Sequence, residues 1–369
     1  MEQTIMIGKL FKLTFALLGA GITYFIYQMA FKFPQIVEVV YSRSIYPFFT
    51  KTIGRLSAAL PFSLAEVLLY LFLISILFFI GYIFSAFFKP RGEKLIHIGK
   101  RLLSFISLLC SLYTMFILFW GINYARMPLA DSMELSTEAG YTVSDLQALC
   151  QYLIEECNTL RDQVEEDEQG VYRLSHTKQA VMESMYNLYN TYAPAWMNLA
   201  GQSVVKGVAT PNLLSYTETS GIYSPFTFEA NINMQMPDLY FAATAAHEYA
   251  HLQGFAREDE ANFISWYLLS QSEEADLAYS GNLNALHYTL NALYKADSQA
   301  YAQVAADIGE GVKRDFAAHS QYWETFDTKI SEVSDKIYES YLDSNGVSDG
   351  LQSYGRMLDL MLALRQQST

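Results

Sequence analysis

Residues 247–251 read His-Glu-Tyr-Ala-His. On a helix, side chains four apart leave one face a turn from each other, so His247 and His251 can present two imidazoles to one ion. Zn²⁺ takes such nitrogens at about 2.0–2.1 Å, a reach that suits this separation. Glu248 is rotated about 100° from His247. It therefore faces a water activated by the ion rather than the ion itself, which is the place of a general base. Phe241, Ala242, Ala243, Ala245, Ala246 and Ala250 make the surrounding helix apolar, and a low-dielectric wall strengthens the ion's effect. The competing reading is a buried helix whose histidines hydrogen-bond locally. The sequence beyond the motif weighs against it. Gly254 permits an abrupt turn, and Arg257-Glu-Asp-Glu-Ala-Asn262 then brings back a dense set of carboxylates that would complete a three-ligand site. An amphipathic run, Phe263 to Leu269, continues from it.

These residues need elements to carry them. Upstream, Phe226 to Asn233 alternates with period two, which predicts a half-buried strand with Phe226, Phe228, Ala230 and Ile232 facing a core and Thr227, Glu229, Asn231 and Asn233 facing out. Such a strand either offers an edge to an extended peptide or caps the core. Pro237 sits where a helix can begin. Leu146, Leu149, Leu153, Cys157 and Leu160 predict a helix with Ser144 as its N-cap. A second helix is predicted over Thr177 to Tyr189, and several more follow Asn282.

Nearer the N-terminus, three stretches carry no charge: Leu13–Phe31, Val67–Phe88 and Leu102–Ala125, of 19, 22 and 24 residues. Each matches a bilayer core about 30 Å thick. The first lacks a small-residue cleavage site and further spans follow it, so it reads as an uncleaved membrane helix rather than a signal peptide. Lys89, Arg91, Lys94, Lys100 and Arg101 place the loop between the second and third spans in the cytoplasm, together with Lys9 and Lys12. The first loop, Lys32 to Glu66, carries four basic residues against that orientation. Its aromatic residues and prolines suggest a segment lying at the outer interface.

Residues 1–125 hold 11 of the 24 Lys and Arg and 4 of the 38 Asp and Glu. The remainder is strongly acidic, which excludes a nucleic-acid partner because phosphate binding needs a basic footprint. Cys150 and Cys157 are about 10.5 Å apart along a helix, too far for a bridge. With Cys110 in an apolar run, all three read as small buried side chains.

The motif and the helix after it resemble the gluzincin metallopeptidases, where HExxH is followed by Glu-x-x-Ala-Asn/Asp. That resemblance implies Glu258 as the third metal ligand, Asn262 as the residue supporting a histidine, and Ala261 as the small residue between them, with Glu260 as the rival ligand. The short connection is similar to that of metzincins, but their third-ligand position falls on Arg257, which cannot serve. Zincins often use a donor opposite the metal to hold an oxyanion; Tyr354 and Arg356 are the candidates, against a packing tyrosine and a surface arginine. His176, His287 and His319 read as surface or satisfied core histidines.

Across its length the chain is also similar to a bacterial membrane-protein family known as domain-of-unknown-function family 3810. The matching features are Tyr-Ser-Arg-x-Ile-Tyr-Pro (41–47), Leu-Pro-Phe-Ser (60–63), Trp-Gly-x-Asn-Tyr-Ala-Arg (120–126), Pro-Phe-Thr-x-Glu-Ala-Asn (225–231), the stretch 247–263, and Ser-Tyr-Gly-Arg (353–356). The resemblance implies a multi-pass membrane protein with a zincin-like external domain and supplies no substrate. The expected architecture is three transmembrane helices in residues 1–125, then a mainly α, α+β zincin-like extracytoplasmic domain in 126–369. The expected function is a Zn²⁺-dependent peptidase at the outer face of the lipid bilayer, acting on a peptide or protein. A zinc-binding receptor or scaffold without catalysis is the alternative, although an intact central Glu248 speaks against lost chemistry. Uncharged spans speak against a conduction path.

Overall fold

The computed structural model describes residues 2–88, 90–137, 140–201, 204–345 and 354–368. The uncharged stretches fall on three helices, α1 (Glu2–Ala30), α2 (Leu64–Ser85) and α3 (Arg91–Phe119). Their windows Met6–Ala30, Leu64–Phe88 and Glu93–Phe119 are long and apolar enough to cross a membrane, and few of their residues are fully buried by protein. Apolar surface of that extent has lipid as its natural neighbour. α1 packs along α3. At one end Lys9 Nζ donates to Lys100 O and to Ser104 Oγ, both at 2.8 Å. Lys89, from the expected basic loop, lies outside the described residues.

The opposite ends of all three helices meet the globular part. Tyr27 Oη donates to Asn345 Oδ1 at 3.2 Å. The backbone N–H groups of Leu64 and Ala65, which open α2, donate to the two carboxylate oxygens of Glu229 at 3.1 and 2.8 Å. Residues 34–58 form a run of short α and π turns. One side buries Glu38, Tyr41 and Tyr46, while Val39, Val40, Phe48 and Leu56 remain exposed. The inner side of the segment is bound to the globular part: Thr50 Oγ1 donates to Ala200 O and Ser57 Oγ donates to Thr227 O, both at 2.7 Å.

That part is built of α4 (Val143–Arg161), α5 (Lys178–Tyr192), α6 (Phe241–Leu252), α7 (Glu258–Leu269), α8 (Ala275–Ala296), α9 (Ser298–Ala305), α10 (Glu310–Glu324), α11 (Lys329–Ser344) and α12 (Tyr354–Ser368). α4 is capped by Thr142, not Ser144: Thr142 Oγ1 accepts from Asp145 N, and Asp145 Oδ2 accepts from Thr142 N. The reciprocal pair prevails because it also brings a carboxylate to the positive end of the helix. α5 starts one residue after the expected Thr177, which caps it, and runs on to Tyr192. Cys150 and Cys157 are buried and Cys110 is half-buried, all as free thiols.

A small sheet contains β1 (Val205–Gly207), β2 (Gly221–Ser224) and β3 (Glu229–Ile232), in the order β1-β3-β2, with β3 parallel to β1 and antiparallel to β2. The predicted strand 226–233 is therefore shorter than its alternation. Phe228 takes a positive φ of 54° that ends it, and its ring packs against Tyr46, Phe49 and Phe119. The strand is also central and buried on both faces, not half-buried. Thr227, Glu229, Asn231 and Asn233, expected to face out, are covered. Glu229 caps α2 and pairs with Lys206 Nζ at 2.6 Å. Asn233 Nδ2 donates to Ser215 Oγ at 2.9 Å. Alternating polarity reported chemical type correctly, but the covering residues come from distant chain segments.

Candidate metal centre

α6 is an alanine-rich helix buried almost all round, following a 3₁₀ turn at Asp238–Tyr240 after Pro237. Small side chains let neighbouring elements come close: Ser265 Oγ donates to Ala243 O at 2.8 Å, and Tyr189 Oη donates to Ala246 O at 2.6 Å. At its C-terminus Phe255 N donates to Ala250 O while Gly254 takes φ +90°, an arrangement that closes a helix and reverses the chain. A Cβ on Gly254 would lie 3.1 Å from the Tyr46 ring. The turn thus demands glycine both for its dihedral and for the close approach of the segment below it. α7 begins at once with Glu258.

The reversal sets Glu258 against the histidines. Its Oε2 lies 3.1 Å from His247 Nε2 and its Oε1 3.5 Å from His251 Nε2. One ligand atom from each of the three residues lies within 4.8 Å of the other two. Two ligands bound tetrahedrally at about 2.1 Å would be about 3.4 Å apart, so the spacing fits a small divalent cation. The outer nitrogens are also placed for it. His251 Nδ1 meets the Phe255 carbonyl at 2.7 Å, and His247 Nδ1 meets Asn262 Oδ1 at 2.9 Å. A carbonyl oxygen only accepts, so Nδ1 carries the proton and the Nε2 lone pair points inward.

Glu248 is buried, and its Oε2 has no hydrogen-bond partner among the described residues. Burial raises its carboxyl pKa, with the histidines opposing. Burial also disfavours the charged forms of Glu258 and His251, but their mutual attraction prevails. The neighbouring histidines hold Glu258 well below the usual carboxylate range, and Glu258 pushes His251 up to about 9. Proton and cation compete for that same imidazole nitrogen.

Glu260, the rival third ligand, faces away: its Oε1 accepts from Leu129 N at 2.7 Å and from Arg257 Nη1 at 3.0 Å. Arg356 is not brought to the cluster either. Its Nε lies 3.3 Å from Asp259 Oδ2, and both residues line a separate cavity with Glu260. The side chain of Tyr354 lies outside the described residues, as does Ser353. His287 and His319 line the same cleft as His247, His251 and Glu258, and burial lowers the pKa of both; His176 is exposed.

The cleft has a volume of about 760 Å³. β2 forms one wall and passes so close that a Cβ on Gly221 would lie 2.7 Å from Glu248 Oε1. This makes β2, not β3, the edge strand beside the site. Phenols that sequence reasoning missed converge on the other side. Tyr124 and Tyr341 share a hydroxyl–hydroxyl contact of 2.9 Å. Burial, reinforced by the Glu258 carboxylate, raises the pKa of both, Tyr341 to about 12. They stay protonated and able to donate at neutral pH. Among 27 tyrosines, no local pattern distinguishes these two.

Neither the curated proteins nor the solved structures contain a match to the chain. Residues 41–362 match the family described as "Protein of unknown function (DUF3810)", and the chain belongs to that family.

Proposed function

We propose that the chain is a membrane-anchored zinc-dependent metallopeptidase. The observation that carries this reading is the convergence of His247, His251 and Glu258 beside a buried, unpartnered Glu248 on the wall of a large cleft. Zn²⁺ held by those three residues would polarise a peptide carbonyl and make water nucleophilic at neutral pH. Glu248 accepts a proton from the attacking water, whose oxygen bonds to the carbonyl carbon. The C–N bond then breaks, and Glu248 passes the proton to the leaving amine. Tyr341 and Tyr124 offer hydroxyl protons where negative charge develops. The free edge of β2 offers backbone groups to an extended substrate. The basic ends of α1 and α3 lie together, opposite the globular part, and the preference of basic loops for the cytoplasm supports a site at the outer face.

The test is Glu248→Gln in the full-length protein. The variant is expected to keep stoichiometric zinc and to lose about 10²–10⁴-fold in peptide-library hydrolysis. Retained hydrolysis would overturn the mechanism. Zinc binding by the wild type with no cleavage would favour the receptor or scaffold reading.

A further inference from the structure

The candidate site lies at the rim of the apolar helices, and three independent features put it there. First, the apolar window of α3 ends at Phe119, and the very next residue, Trp120, places its ring 5.9 Å from that of His251. Phe116 also lines the cleft. At 1.5 Å per residue it sits about 4.5 Å inward of the helix end, so the cleft wall includes the last turn of a membrane-crossing helix.

Second, the C-terminus of α6 rests directly on the segment 34–58. Tyr46 Oη donates to Leu252 O at 3.0 Å, and the far side of that segment exposes Val39, Val40, Phe48 and Leu56. A single helical layer, about 10 Å across, therefore separates the metal ligands from the surface that suits lipid.

Third, α11 lends Ile337, Tyr338 and Tyr341 to the cleft, and its C-terminal end meets the ends of the apolar helices. The Tyr341 ring lies 6.2 Å from that of Phe116, and Asn345 Oδ1, one residue past the helix, accepts from Tyr27 Oη at 3.2 Å.

We infer that the substrate is the juxtamembrane stretch of another membrane-anchored polypeptide, cut within a few residues of where it leaves the bilayer. The inference rests on the peptidase reading and narrows it. A chain emerging beside α3 reaches the site by spanning one helical layer, which takes about three residues at about 3.3–3.6 Å each when extended. The same closeness obstructs a folded soluble protein, whose bulk would have to enter the lipid to bring a loop into the cleft.

The experiment uses the full chain in lipid nanodiscs with one probe: a Leu/Ala transmembrane anchor followed by about 30 randomised residues, about 100 Å if extended. Cuts are mapped by mass spectrometry, with Glu248→Gln as the control and the same randomised segment lacking its anchor as a second arm. Cuts are expected to concentrate about tenfold within roughly the first six residues after the anchor, the only part held close to the site by its tether. The free segment is expected to be cut about tenfold more slowly. Cuts spread evenly along the segment, or a free segment cut as fast, would overturn the inference; if they vanish in Glu248→Gln, the peptidase reading stands. No cut in any arm would overturn both.

Discussion

Two clusters of buried charge meet at the turn around Gly254, and they are built differently. On one side, Arg126 donates through Nε and Nη2 to the two oxygens of Glu38 and through Nη1 to Gly254 O, all at 2.9 Å. Its guanidinium also lies 4.1 Å from the centre of the Phe255 ring, and Arg43 Nε reaches the same Glu38 carboxylate. On the other side, two imidazole nitrogens and a carboxylate point at one another, Glu248 Oε2 is left without a partner, and the whole opens into a cleft. An unsatisfied buried polar group costs about 1–3 kcal/mol. The clamp avoids that cost, whereas the site retains it. Burial of charge by itself thus marks neither region as chemical; convergence with an open side does. Asp259 and Glu260 also hold orphaned oxygens, but Arg257 and Arg356 stand beside them and balance their charge.

Paired carboxylate variants test that distinction most severely. Glu258→Gln is expected to abolish stoichiometric zinc binding while the protein stays folded, read by metal analysis alongside thermal denaturation. Glu260→Gln, two residues away on the same helix, is expected to keep its zinc and to lose about 1–3 kcal/mol of stability. Like behaviour of the two variants would erase the contrast between the faces of α7.

A smaller effect is expected from Asn262→Ala, which removes the acceptor for His247 Nδ1. Zinc affinity should fall about 10–100-fold in a chelator competition with little change in melting temperature. An unchanged affinity would mean that the asparagine does not orient the ligand.

The clamp has its own signature in pH. Burial alone would raise the Glu38 carboxyl pKa, but Arg126 and Arg43 hold it below the usual value. A depressed folded value means that the stabilisation is present above the unfolded carboxylate pKa of about 4.3 and fades as pH falls through the folded one. Glu38→Gln should therefore cost about 1–2 kcal/mol at neutral pH, and the gap to wild type should close below that window. A gap constant with pH would show that the clamp holds by shape rather than charge.

Much of this was legible locally. Hydropathy located the three apolar helices, and four-residue spacing paired His247 with His251. Gly254 announced the reversal that brings a carboxylate back. Other expectations failed where coverage comes from afar. Polar residues on the 226–233 alternation are buried because α2 and Lys206 lie over Glu229. Arg356, close in type to an oxyanion donor, is engaged by Asp259 instead. Thr142 rather than Ser144 caps α4 because the cap with a carboxylate partner is the better one.

By itself, then, the sequence determined which residues could share a helix face and which helices could enter lipid, since both follow from short-range periodicity and composition. Only the tertiary structure decided between Glu258 and Glu260, which begin the same helix. Two positions along α7 rotate a side chain by about 200°, and the angle at which α7 leaves the Gly254 turn determines which of them faces the histidines. That angle is held by Tyr46, Arg126 and Trp120, residues far away in the chain whose pairing with the turn is written in no local pattern.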